Sequence, residues 1–538
     1  MAAATYATDL TLMDDADAVG NYSALGGGAS ALSDETDYFI ETPQCVSKAG
    51  FTATTKGFIT NTGTHTVTSG DAIFVWGKQN NRNLMDTVAA GGMQLIIGND
   101  TSNYDHFYVD GSDSDGSDLA GWRTYAVDPT QTPSTTTGTV TTTDRVGFLW
   151  KILGSGSLKG NPNAMDVSRH GRELTCIDGD LGNGYATFDA AAVFDGNTAR
   201  RWGILTPVAG GYQFHGAFVM GTVATATDFR DSNRNIVVLE DAFVPATFNE
   251  FEIRNASSNV EWTNITIQHL GTTSPSVLTL DVGTFTGLGC TFVDCGTTSF
   301  ATTSACTSST WDGCGIITAN DADLTGSNVS GYEGTANTSS LIWDVATDPD
   351  GDLDNMTYTM GTALTHAIEF GTTSPLTMTL RGCDFNGYNA TGTNAANDSI
   401  FHVKRTTGTV TINLVGCTTD ASGFSYRTDG ATVVLVQDPV TTTITCIDAV
   451  TKAAVQNVRV LLEADTGGPL TVGDDIISAL TDVNGKVTDT RTFASDQPVL
   501  GKARLSSSGG ALYKTGAISG TISSVSGFST TVQMISDE

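Results

Sequence analysis

Positive charge is scarce in this sequence: 26 Lys and Arg stand against 58 Asp and Glu in 538 residues, a net charge of −32. Such a surface repels phosphate backbones and anionic bilayers, so a nucleic-acid groove and membrane insertion are both excluded as expectations. No apolar run approaches the roughly 18 residues that a membrane-spanning helix needs. The start, Met1-Ala2-Ala3-Ala4-Thr5, lacks the basic and apolar segments of a signal peptide, which predicts synthesis and assembly in a cytosol. Stretches with helical i, i+3, i+4 spacing are missing too. The nine cysteines (Cys45, Cys176, Cys290, Cys295, Cys306, Cys314, Cys383, Cys417 and Cys446) are odd in number and include no C-x-x-C pair. That excludes a secreted disulfide framework and a zinc site as expectations and leaves small buried thiols.

What is present is β-forming. Charged residues are only 16% and apolar ones 39%, too apolar and too weakly charged for a disordered chain. Threonine, valine and isoleucine suit pleated surfaces, and 60 glycines supply turns. The expected fold class is all-β, in several domains.

Residues 1–45 read as an extended N-terminal arm punctuated by Asp14-Asp15-Ala16-Asp17. Residues 46–155 hold short strands, among them Ile73-Phe74-Val75-Trp76, Met93 to Ile97, His106 to Val109, Trp122 to Val127 and Val146 to Trp150. Their spacing predicts a jelly-roll-like sandwich. Trp76, Trp122 and Trp150 are expected in its core; stacking on sugar rings is the alternative. Residues 156–245 are a connecting region. From 246 to 438 the chain repeats itself. Gly271-Thr272-Thr273-Ser274-Pro275 returns as Gly371-Thr372-Thr373-Ser374-Pro375, each followed by an alternating strand and a Gly-Cys corner (Gly289-Cys290 and Gly382-Cys383). A third corner is Gly416-Cys417. Alternation places Leu376, Met378 and Leu380 on one face. A unit that buries one face must stack on its neighbours, which predicts a right-handed parallel β-helix with cysteines laddered inward at the corners. Residues 439–538 read as an immunoglobulin-like or transthyretin-like sandwich, with a hairpin turn at Asn484-Gly485.

Motifs for chemistry are few. No Gly-x-Ser-x-Gly elbow, phosphate-binding Gly-Lys-Ser/Thr loop or His-Glu-x-x-His is present. His170, His215 and His402 stand isolated. Glycan cleavage needs two carboxylates about 5–10 Å apart across a groove; Asp178 with Asp180, and Asp384 with Asp312, are the candidates. With acids so abundant, no catalytic residue is assigned. Asp348, Asp350, Asp352 and Asp354 alternate as oxygen-rich calcium sites require, and Asp113, Asp115 and Asp118 do so more loosely. Solvated turns are the ordinary reading of both. No other cofactor is expected.

The strand Gly92 to Gly98 with Tyr104-Asp105-His106-Phe107-Tyr108 resembles structural proteins of tailed bacteriophages. So do Gly121-Trp122-Arg123 ahead of Val127-Asp128-Pro129, Asp166 to Gly171, Ile236 to Leu239, and Trp262-Thr263-Asn264-Ile265. The resemblance implies a particle component built from a lectin-like sandwich and a β-helix, and supplies no catalytic residues. The expectation is therefore a non-enzymatic virion protein (fibre, collar appendage or decoration) that contacts other virion proteins and a host surface glycan, as a homotrimer. The alternatives are a tailspike-type polysaccharide depolymerase and a bacterial surface adhesin, the latter requiring an export signal.

Overall fold

Short β-branched runs broken by glycine, asparagine and aspartate fold as that composition dictates. The chain is nearly all β, with one α-helix among the described residues, α1 (Phe188–Asp195). The computed structural model describes residues 4–537 apart from 27–31, 38, 42–43, 49–54, 62–66, 69, 80–84, 114–120, 152–162, 178–183, 197–201, 240, 271–275, 390–396, 422, 494, 506–511 and 525. The chain divides into two compact units. One comprises Met1–Val345, Met356–Phe370 and Asn397–His402; the other comprises Ala346–Asn355, Gly371–Ala396 and Val403–Glu538.

The first unit opens with two antiparallel sheets. One orders Trp122–Val127, Ala72–Lys78, Asn163–Gly171, Cys45–Lys48 and Leu32–Glu35; the other orders Thr135–Thr137, Asn103–Asp110, Met93–Asp100, Arg145–Lys151, Thr55–Thr60 and Tyr22–Leu25. Ile73, Val75, Leu95, Phe107, Phe148, Trp150 and Met165 share one core cluster. Period-two alternation turns Phe74 and Trp76 the other way. Trp76 there joins Trp122, Cys45, Ile40 and Val167. Trp76, Trp122 and Trp150 are 2%, 4% and 0% exposed, so they are core residues and offer no ring to a sugar.

The segment read as an extended N-terminal arm pairs with these sheets and with the strand Glu173–Ile177 that follows them. Thr5–Thr8 pairs with Leu174–Ile177, Thr11–Asp14 with part of Ser168–His170, Tyr22–Leu25 with Gly57–Thr60, and Leu32–Glu35 with Cys45–Lys48. Strand edges left open would present unpaired amides and carbonyls, and these short strands close them.

Parallel pairing begins well before residue 246. Glu173–Cys176 pairs with Ala217–Met220, which pairs with Glu250–Ile253. Strands Val277–Leu280, Thr298–Phe300, Ile317–Thr318, Ser339–Trp343 and His366–Phe370 continue this first face. A second face runs through Asp228–Ser232, Asn259–Thr263, Thr284–Leu288 and Ala305–Thr307. A third runs through Gly211–Phe214, Asn235–Val238, Thr266–His269, Thr291–Val293, Thr310–Asp312, Asn328–Tyr332 and Thr357–Met360. The expected connecting region thus supplies a central sandwich strand and the first coils of a three-faced parallel solenoid.

Helix α1 stands at the head of this solenoid. Its Phe188 ring meets Phe229 at 4.8 Å, Phe218 at 5.1 Å and Trp262 at 5.9 Å. The aromatic stack continues inward from Trp262 to Phe285 at 5.2 Å and from Phe285 to Phe300 at 5.9 Å.

Between the second and third faces the chain turns with positive φ on coil after coil, at Asn233, Asn264, Gly289 and Ser308 (57°, 52°, 63° and 51°). The strand registers place these corners above one another. Left-handed backbone is open to glycine and tolerated by asparagine, which is why those residue types mark the corners.

The second unit holds a parallel sheet of Thr377–Arg381, Thr409–Val415 and Thr432–Gln437, beside the pair Asp384–Asn386 and Thr418–Thr419. Met378 and Leu380 are buried as alternation requires, but Leu376 precedes the strand and is 50% exposed. From Val440 onward two sheets pack around Ile444, Val460, Leu462, Ile477, Val499, Ile518 and Met534. The Asn484-Gly485 turn joins strands of different sheets and is not a hairpin, and of the pair only Gly485 has positive φ. Asp482 Oδ1 accepts from the amides of Asn484 and Lys486, which fixes the turn without cross-strand pairing.

Candidate functional site

A cavity of about 830 Å³ opens in the first unit where the third solenoid face turns into the first. Three successive coils form it, at Asp294-Cys295-Gly296, Gly313-Cys314-Gly315 and Gly331-Tyr332-Glu333-Gly334. Backbone bonds stack them: Asp294 N donates to Asp312 O (2.8 Å), Gly313 N to Ser330 O (2.9 Å) and Gly315 N to Cys295 O (2.9 Å).

Acids lean across this corner, each over a glycine further along the solenoid. A Cβ on Gly313 would collide with Asp294 Oδ1, one on Gly331 would lie 3.3 Å from Asp312 Oδ1, and one on Gly361 would lie 2.6 Å from Glu333 Oε1. The glycines therefore leave room for the carboxylates. Asp294, Asp312 and Glu333 are all exposed. Glu333 is the most constrained. It accepts from Thr362 N (2.6 Å), Thr362 Oγ1 (2.7 Å) and Ala363 N (3.1 Å), and the bond from Thr362 N leads in holding its carboxyl below the usual range. Asp312 accepts from Ser330 Oγ at 2.8 Å. Tyr332 forms a buried wall, its hydroxyl donating to Thr338 Oγ1 (2.9 Å) and pushed to higher pKa mainly by burial.

Neighbouring strands lie about 4.8 Å apart. The backbones of adjacent and next-adjacent coils are therefore roughly 5–10 Å apart, a spacing of the same order as the carboxylate separation in glycoside hydrolysis.

A larger cavity of about 1150 Å³ lies between α1, Pro207–Tyr212 and Asn233–Asn235. Its carboxylate, Asp189, is already bonded by the Tyr212 hydroxyl and by Arg234. Arg234 is also paired to Asp231 at 2.9 Å. Asp189 is thus already engaged by a hydroxyl and a guanidinium, so the smaller acidic corner is the better candidate for chemistry.

The residues singled out from sequence distribute unevenly. Asp312 stands at the edge of the acidic corner, next to the lining residue Gly313 but outside the cavity lining, whereas Asp384 lies in the other unit and bonds Thr418 Oγ1 (2.7 Å) and Asn386 Nδ2 (2.9 Å). Asp178, Asp180, Asp115, Asp118 and the first Gly-Thr-Thr-Ser-Pro copy lie outside the described residues. Asp348, Asp350, Asp352 and Asp354 are not gathered as a cation site. Asp348 accepts from Thr379 N (2.7 Å), and Asp350 forms a two-point ion pair with Arg381 (2.6 and 3.0 Å). Among the described residues no group of three or more His, Cys, Asp or Glu converges as metal ligands. His215 is buried against Asp241 at 2.6 Å, and His402 lies 3.7 Å from Glu369.

Asp294 and Glu333 escaped the sequence reading. Acid and glycine recur close together at successive corners, but irregular coil lengths hide which corners stack.

No protein-family model matches the chain, and no curated protein matches it. Among solved structures it is similar to the catalytic domain of GH87 alpha-1,3-glucanase in complex with nigerose, with a TM-score of 0.15 and 8% identity over 77% of this chain and 87% of that one. It is also similar to a variant of that domain in complex with tetrasaccharides, with a TM-score of 0.17 and 8% identity over 77% and 98%. These matches are to enzyme domains, and the expectation of a non-enzymatic particle protein is corrected on that finding. At such TM-scores the likeness transfers no residue roles.

Proposed function

We propose that this chain is a polysaccharide-cleaving solenoid protein, a glycoside hydrolase of the tailspike kind. The observation that carries this reading is the set of exposed carboxylates on three successive coils, Asp294 and Glu333 lining the cavity and Asp312 beside Gly313 at its edge. Glu333, kept ionised by its three donors, is the base or nucleophile. Asp312, beside it on the preceding coil, is the proton donor to the leaving oxygen, and Asp294 orients substrate hydroxyls.

The finer features belong to the same proposal. They are a right-handed coil, jelly-roll and immunoglobulin-like character in the terminal sandwiches, assembly in a host cytoplasm as a homotrimer with other virion proteins, and a host surface glycan as substrate. The resemblance to tailed-phage proteins supports them.

The test is reducing-sugar release from a panel of neutral bacterial polysaccharides. Glu333→Gln and Asp312→Asn should each lower the rate roughly 10²–10⁴-fold with an unchanged unfolding midpoint. No release from any polymer, or full activity in both variants, rejects the assignment.

A further inference from the structure

We propose that Cys383 and Cys417 are a cross-coil disulfide site, closed by exchange with a small-molecule disulfide such as oxidised glutathione. The two residues are held in register from both sides. Arg381 pairs with Val415 and Asp384 with Thr418, and Thr418 N donates to Cys383 O at 2.8 Å. Both follow a glycine with the same backbone angle, Gly382 and Gly416 at φ +63°, so their Cβ atoms leave matching corners in the same direction. In-register parallel neighbours are about 4.8 Å apart, within the roughly 4.4–6.8 Å between Cα atoms that a disulfide spans. The thiols already interact. A hydrogen bond with Cys383 is the leading cause holding the Cys417 thiol below its usual range.

Their environments assign the order of steps. Cys417 is half-buried and Cys383 fully buried, so Cys417 meets the reagent first. Its thiolate attacks one sulfur of the reagent, giving a mixed disulfide on Cys417 and releasing one glutathione thiolate, which takes up a proton. The Cys383 thiol then loses its proton and attacks the Cys417 sulfur, forming the Cys383–Cys417 bond and releasing the second glutathione. Two protein thiols are oxidised and one disulfide is reduced to two thiols.

The same chain contains a control. Cys295 and Cys314 are also in register, since Val293 pairs with Asp312 and Thr298 with Ile317. Both are buried, at 2% and 4% exposure. Geometry alone would cross-link both pairs, whereas reagent access selects Cys383–Cys417. The inference does not depend on the polysaccharide reading.

The folded full-length chain is incubated with oxidised glutathione and mapped by non-reducing peptide mass spectrometry. A linked Cys383–Cys417 peptide should form, with Cys295 and Cys314 still reduced. In Cys383→Ser the mixed glutathione disulfide should persist on Cys417, and in Cys417→Ser Cys383 should stay unmodified. The proposal is overturned if Cys417 takes glutathione in the unaltered chain without passing it to Cys383. It is equally overturned if neither cysteine reacts, or if Cys295–Cys314 links as readily. Circular dichroism identical across the variants guards against a folding artefact.

Discussion

At Gly416 the backbone sits at φ +63° and nothing lies within 4 Å of where a Cβ would be. Substitution there reads the left-handed backbone cost by itself. Gly416→Ala should destabilise by about 1–2 kcal/mol and Gly416→Asn by less, in denaturant melts. At Gly382 the same angle comes with a collision against Asn355 Oδ1, so Gly382→Ala should cost more than its counterpart. A second single-residue effect concerns Asp195, which burial pushes from an ordinary 3.8 to about 7. The folded state therefore keeps a proton that the unfolded chain releases from about pH 4 upward. Stability from this group is present at low pH and declines as pH rises from about 4 to 7, then levels off. Asp166 is raised to about 7 by burial in the same sense. Asp195→Asn should flatten that part of the stability profile, removing a decline of order 2–4 kcal/mol. An unchanged slope would show that Asp195 is ionised in the fold.

Helix α1 acts as the plug of the solenoid, because Phe188 packs on the rings of Phe218, Phe229 and Trp262 at the head of the aromatic column. Phe188→Ala should cost about 3–5 kcal/mol locally. Solenoid coils contact only their neighbours, so amide exchange should quicken at Ala217–Met220 and Asp228–Ser232 while Ser339–Trp343 is unchanged. Equal acceleration along the whole column would refute the plug. This helix was invisible in the sequence: Phe188-Asp189-Ala190-Ala191-Ala192-Val193-Phe194 is too short for a clear helical period. The solenoid was legible where glycine and cysteine punctuated it, at Gly289-Cys290, Gly382-Cys383 and Gly416-Cys417, and these corners do turn with positive φ. Its coils before residue 246 were missed, among them the one where Asn233 makes the same turn without glycine. The sandwich strands were legible from alternation, whereas the arm's pairing was not, because four-residue strands carry too little period to predict a partner. Asp312 was legible as an isolated acid; its neighbours Asp294 and Glu333 depend on coil stacking that irregular loop lengths conceal.

On the scale of the whole molecule, charge decides what the acidic corner can take. A net charge of −32 surrounds a groove whose own three acids add to the local negative potential, and a uronic-acid polymer would be repelled from both. Neutral polysaccharide meets no such barrier, and its hydroxyls are suited to donate to carboxylates. The two substrate classes should also respond oppositely to salt. At about 0.01 M ionic strength the screening length is roughly 30 Å, and at 1 M roughly 3 Å, so raising salt removes repulsion from the acidic polymer and leaves the neutral one nearly unaffected. The expected result is a kcat/KM that favours neutral over anionic chains of the same linkage at low salt, with the gap narrowing as salt rises. The difference should lie in KM, since repulsion acts on encounter and binding before the bond is broken. Preference for the anionic polymer at low salt would mean that cationic side chains line the true cleft, and would move the site away from Asp294, Asp312 and Glu333.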